Sequence, residues 1–280
     1  MIAVPRPDLS LALPDKAAPL RCPTGVASLD AALGGGLAAG RIHEIHAAEP
    51  DDAASAAGFA ALLAAGVLGR GKPLVWLRER GAVRSSGIVQ AEGLLELCGT
   101  LPRDCLFVLA DDTPALLRAG HDALRFADLG AVLLEARGPM PRLDLTASRR
   151  LLLAAERSGV TLLLLRIGAQ PVPSAADTRW TVSAAPSRAL PANAPGAPTF
   201  DLALLRQRAG PSGLSWRLEW NRDQRIFQDA ARERFSTNPG HRDGADLGPA
   251  RGERREPCYR IVTDDQRCDG PKSARRAAVA

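Results

Sequence analysis

Between residues 41 and 167 the chain alternates continuous apolar runs with longer segments whose apolar positions recur every three or four residues. The runs RIHEIHA (41–47), PLVWLRE (73–79), CLFVLA (105–110), GAVLLEA (130–136) and VTLLLLRI (160–167) predict five strands. They are apolar throughout rather than at every second position, as a parallel sheet covered on both faces requires. Helices are predicted over 53–71, over 115–128 behind the pair Thr113-Pro114, and over 144–159, where Gly159 stops the last. Strands alternating with helices imply right-handed βαβ crossovers. Further on, TRWTVSAAPS (178–187), TFDLALLRQRAG (199–210) and LSWRLEWN (214–221) switch to alternation with turn breaks, predicting an antiparallel extension.

After Trp220 the periodicity fades, and 222–235 reads as one more short strand or helix. Residues 236–280 hold too few large apolar groups to offset the entropy of ordering. The chain thus divides into an extended, Pro-punctuated arm (1–22), an α/β core (23–220) and an Arg-rich, largely disordered tail (221–280).

Composition narrows the picture only a little. Apolar residues make up 46% but aromatics only 4%, so Leu, Val and Ala must fill the core. The net charge of +5 comes almost wholly from Arg, the lysines being Lys16, Lys72 and Lys272; so mild an excess is weak evidence for nucleic acid. Five scattered cysteines (Cys22, Cys98, Cys105, Cys258, Cys268) form no CxxC pair and no metal spacing, which suggests reduced thiols in a cytoplasmic protein. No basic start precedes a long apolar run, so neither a signal peptide nor a membrane span is expected. His43 and His46, three apart on a strand, point to opposite faces and cannot form a metal pair.

The most specific string is PTGVASLDAALGGGLAAGRIHEI (23–45). Leu29, Leu33 and Leu37 recur at helical spacing, Gly34 to Gly36 break the turn, and the chain enters a strand. This string resembles the segment leading into the P-loop of the RecA-type recombinase core. With DLTASRRLLLAAERSGVTLLLLR (144–166), PSAADTRWTVSAAPS (173–187), APGAPTF (194–200) and WRLEW (216–220), the chain more narrowly resembles the ImuA family, the RecA-like damage-inducible mutagenesis proteins of alphaproteobacterial type. The resemblance implies a RecA-like P-loop NTPase core and a place in the SOS-induced mutagenesis cassette. The partners it implies are an ImuB-like protein related to Y-family polymerases and an error-prone replicative-type polymerase; an adaptor of this kind could also dock RecA itself. Location would be cytoplasmic, at the nucleoid when damage is present.

A working P-loop needs glycines so that backbone N–H groups converge on phosphate, a Lys for the β/γ-phosphates and a Ser/Thr for Mg²⁺. Aligned on the strand, Ala47 takes the first glycine position, Asp52 the second, Ala53 the lysine and Ala54 the Ser/Thr, with Ser55 one further on. A carboxylate ~4 Å from a phosphate charge repels it by roughly 1 kcal/mol in water and about 4 kcal/mol near a protein surface. Asp51 and Asp52 are expected to cap the helix instead. Glu135 stands where a Walker-B acid would, Glu79 or Arg80 at the catalytic carboxylate, and Arg166 or Ile167 at the polar sensor. The expectation is a degenerate nucleotide site with no cofactor, no metal and no ATPase activity.

The loops that carry DNA in RecA correspond to RGPMPRL (137–143) and GAQPVPSAAD (168–177), both short and proline-stiffened. DNA contact is therefore expected to be indirect. Arg137, Arg142, Arg149, Arg150, Arg222 and Arg225 are the candidate partner or DNA contacts. Trp180, Trp216 and Trp220 read as packing anchors. The rival readings are a DNA-dependent ATPase or recombinase, a direct DNA-binding module, and an inhibitor that mimics a RecA protomer.

Overall fold

The Thr-Gly and Leu-Asp pairs of the motif fold onto one another. Asp30 accepts hydrogen bonds from the Thr24 amide and hydroxyl, both at 2.8 Å, and from the Gly25 amide at 3.3 Å. This tie starts α1 (Ala27–Ala32), and the three glycines after it all have positive φ. A Cβ on Gly36 would lie 2.3 Å from the Cys22 carbonyl oxygen, so only glycine lets β1 (Arg21–Cys22) pair with β2 (Leu37–Ala38). The computed structural model describes residues 18–68 and 71–230. Most of the N-terminal arm, and the tail beyond 230, lie outside the described residues.

The main sheet has nine strands: β3 (Ile42–Ala47), β4 (Leu74–Glu79), β5 (Cys105–Ala110), β6 (Ala131–Arg137), β7 (Thr161–Ile167), β8 (Thr178–Ala184), β9 (Thr199–Gln207), β10 (Leu214–Asn221) and β11 (Ile226–Asp229). Their order is β11-β10-β9-β8-β3-β7-β6-β4-β5. The pairings from β5 through β8 are parallel and those from β8 outward antiparallel. This is the α/β architecture the hydrophobic pattern predicts, with its antiparallel extension.

Helices α2 (Ala53–Leu62) and α4 (Ala91–Cys98) cover one face; α5 (Thr113–Ala123) and α6 (Leu145–Ser158) cover the other. The short α3 (Arg80–Ser86) follows β4 directly. α2 continues as a π-type turn over Leu63–Leu68. The cap of α5 is Asp112, which accepts from the Ala115 amide, rather than Thr113. The Thr113 hydroxyl donates instead to Glu79 at 2.6 Å. Asp144 caps α6, and Gly159 ends it in the left-handed conformation.

The antiparallel strands put alternate residues on the α2 face, where Trp180, Val182, Phe200, Leu202, Leu204, Leu218 and Trp220 join the core. Trp180 and Trp220 are buried and Trp216 is half-buried, so all three tryptophans pack as expected. The boundary expected at residue 220 falls inside the sheet, because β11 follows it. Phe227 is fully buried against Phe59, Phe200 and Trp220, a contact no local periodicity announces.

Candidate functional site

The segment between β3 and α2 is closed by its own side chains. Pro50–Asp52 form a 3-10 turn that runs straight into α2, and Glu49 is its cap. A reciprocal capping box joins them, the Glu49 carboxylate accepting from the Asp52 amide and Asp52 from the Glu49 amide at 3.2 Å. The other oxygen of Asp52 accepts from the Ala184 amide at 2.8 Å, tying the turn to the end of β8. The expected roles therefore need correction. Asp52 makes no side-chain cap to α2 itself; Glu49 is the cap of the joined helix, and Asp51 stays exposed. Ala47 packs against the core, and Ala53 and Ala54 open α2.

Glu135 does not end its strand as a free acid. It sits inside β6, is 1% exposed and is gripped by Arg78, Nε to Oε2 at 2.8 Å and Nη2 to Oε1 at 3.0 Å. The Trp76 indole donates to Oε2 at 3.3 Å, and Arg137 Nε lies 3.8 Å from Oε1. A carboxylate so satisfied has its charge neutralised and its lone pairs occupied, leaving little for a cation. The neighbouring candidates are engaged too: Glu79 by Thr113, and Arg80 by Asp111 at 2.8 Å.

A second buried polar group lies on the α6 face, where β3, β7 and β8 meet: Glu44, His46, Arg166 and Arg179. Burial raises the Glu44 carboxyl, but the polar groups of His46, Ser174 and Arg179 around it outweigh that and hold it below the usual carboxylate range; of these Arg179 donates to Oε2 at 2.5 Å, while His46 Nε2 stands 3.8 Å away. Burial lowers the Arg166 guanidinium, against the pull of Glu44. His46 Nε2 and Arg166 Nε are buried without a hydrogen-bond partner among the described residues. Sequence reasoning missed this group except for Arg166. The available signal was a charged residue inside each apolar run, as in HEIH and LLLLRI. His43, on the opposite face as expected, bonds Thr178 and Ala38, and burial lowers its pKa.

The six candidate contact arginines do not form one surface. Arg137 belongs with Glu135, Arg149 and Arg150 face opposite flanks of α6, and Arg222 pairs with Glu96 at 3.3 Å. Arg225, with φ of 54°, lays its guanidinium against Gly99. Arg142 is exposed beside the buried Leu143. The loops 137–143 and 168–177 are packed down, with Met140 and Leu143 buried in the first and Ser174 and Ala176 in the second. Among the described residues no cluster of three or more His, Cys, Asp or Glu could hold a metal, and no helix is long and apolar enough to cross a membrane.

The chain is similar to the solved crystal structure of the RadB recombinase, at 15% sequence identity over 74% of this chain and 98% of that chain, with a TM-score of 0.49. No family model and no curated protein matches it.

Proposed function

We propose that this protein is a RecA-like scaffold without catalytic nucleotide chemistry, acting as an accessory protein in SOS-induced, error-prone translesion synthesis. It docks an ImuB-like partner, and through it an error-prone replicative-type polymerase, with RecA a further contact. It works in the cytoplasm and gathers at the nucleoid on damage. The observation that carries the reading is Asp52, whose carboxylate bridges the Glu49 and Ala184 amides across the turn where a P-loop would open to phosphate. The pairing of Glu135 with Arg78 and the absence of a lysine from 41–59 support it. The partner assignment is supported by the ImuA-like sequence strings.

Isothermal titration of the full chain with ATP and Mg²⁺ tests the reading, which expects no binding tighter than about 100 μM. Saturable binding below that value would replace the scaffold by an ATPase. Co-purification with the ImuB-like protein tests the docking. Any truncation that asks whether the tail contributes has to fall after Ala230, because β11 belongs to the core.

A further inference from the structure

We infer that the groove between α6 and the β7–β8 crossover is a docking site for an acidic, amphipathic helix of a partner protein. Parallel strands are normally joined by a crossover of a dozen or more residues containing a helix. α5 and α6 meet that need on this face of the sheet, but the crossover from β7 to β8 spans only residues 168–177 and has no helix. It descends the face as extended chain, with Ala176 in the core beside α6. A gap remains between α6, the crossover and the β8–β9 pair, a cavity of about 660 Å³.

The chemistry of the gap selects its occupant. Arg149, Arg179, Arg206 and Arg208 line it, and among the described residues no carboxylate does. Arg179 is spent on Glu44, and Arg206 gives one hydrogen bond to the Ser174 carbonyl at 3.3 Å. Arg149, Arg206 and Arg208 are exposed, and among the described residues none of them meets a carboxylate in an ion pair, so the rim presents guanidinium groups. Between them Leu145 and Val172 are 39% and 41% exposed, apolar contacts that a small oxyanion would leave unused. Among the described residues no aromatic ring lines the cavity, so unpaired bases find no stacking platform there. Guanidinium forks matched to carboxylates beside an apolar wall suit a helix with Glu or Asp flanking an apolar stripe.

The groove is separate from the 47–52 turn, so the ATP titration and the following test fail independently. A random-peptide phage library is panned against the full chain, and the consensus peptide is synthesised and titrated by fluorescence anisotropy. The expected consensus is acidic with apolar residues at i, i+3 and i+4. Its affinity should fall at least about tenfold in the Arg149→Glu/Arg208→Glu variant. A Glu→Lys version of the peptide should regain binding to that variant. Arg150→Glu/Arg157→Glu, on the α5 flank of the same helix, should leave affinity within about twofold. Arg149 and Arg208 are exposed, so an unchanged thermal midpoint verifies folding. A consensus without acidic enrichment, or unchanged affinity in the groove variant, overturns the inference. So does a single-stranded oligonucleotide that displaces the peptide and loses binding in the same variant, since the groove would then serve nucleic acid.

Discussion

The two halves of the sheet each hold one forked Arg–carboxylate pair of nearly the same geometry. In the parallel half Arg78 grips Glu135 at 2.8 and 3.0 Å; in the antiparallel half Arg217 grips Asp201 at 2.7 Å twice. The side chains of the first pair are 5% and 2% exposed, those of the second 39% and 40%. Helices cover both faces of β4 and β6, whereas no helix lies over the outer face of β9 and β10 among the described residues. Similar contacts therefore carry different energetic weight: in the first pair neither partner can be lost alone without stranding a buried charge, whereas the second is a solvated surface pair.

Removing one partner of each pair gives the sharpest break. Arg78→Ala strands the Glu135 charge in the core and should cost about 3–5 kcal/mol in urea denaturation. Replacing both partners, Arg78→Met with Glu135→Leu, should recover most of that loss; if it does not, the pair contributes more than mutual neutralisation. Next in size is Leu218→Ala, in the core of the one-faced half, where Leu218 is fully buried. We expect about 2–3 kcal/mol, toward the lower end for such truncations, because a sheet open on its other face can relax toward the cavity. A loss near 5 kcal/mol would show the extension to be as rigid as the parallel half.

The junction between the halves supplies a smaller, pH-dependent effect. β8 is parallel to β3 and antiparallel to β9, and His43 faces Thr178 across the first pairing. The Trp180 indole donates to the Thr178 oxygen, leaving the Thr178 hydroxyl to donate to His43 Nδ1, while His43 Nε2 donates to the Ala38 carbonyl. Burial disfavours the imidazolium and lowers the pKa of His43, and a neutral ring fits these partners. The unfolded chain takes up a proton near pH 6.5 and the folded chain only below that value. This stability is thus complete above about pH 6.5 and declines as the pH falls toward the folded-state value. Denaturation midpoints between pH 7.5 and 5.5 should show that decline, and His43→Gln should flatten it. Smallest of all is Arg217→Ala, which should change stability by no more than about 1 kcal/mol and less in high salt.

Much of this contrast was legible in the sequence. Continuous apolar runs distinguished the two-faced strands from the alternating one-faced strands, and the packing tryptophans stood at the inward positions. Pairings across long separations were not legible: Arg78 and Glu135 are 57 residues apart, Glu135 a lone charge in its run and Arg78 beside the opposite charge of Glu79. Helices α3 and α4 escaped because RGAVRSS and AEGLLELC are barely two turns long, too short for a 3.6-residue period to declare itself. At the candidate site the residues of the turn between β3 and α2 were readable one by one. The partner of Asp52 was not, since the Ala184 amide lies 132 positions away.

The Thr24 carbonyl accepts the Phe227 amide at 3.1 Å, and a Cβ on Gly25 would come within 2.7 Å of the Phe227 carbonyl. The opening motif is thus a seat for the final strand. During synthesis this seat stands empty until the last stretch of the core leaves the ribosome, and Phe59, Leu29 and Leu33 wait beside it with one wall missing. Completion of the domain is a late, long-range event, and a chaperone that shields this patch on the nascent chain would cover it until β11 arrives.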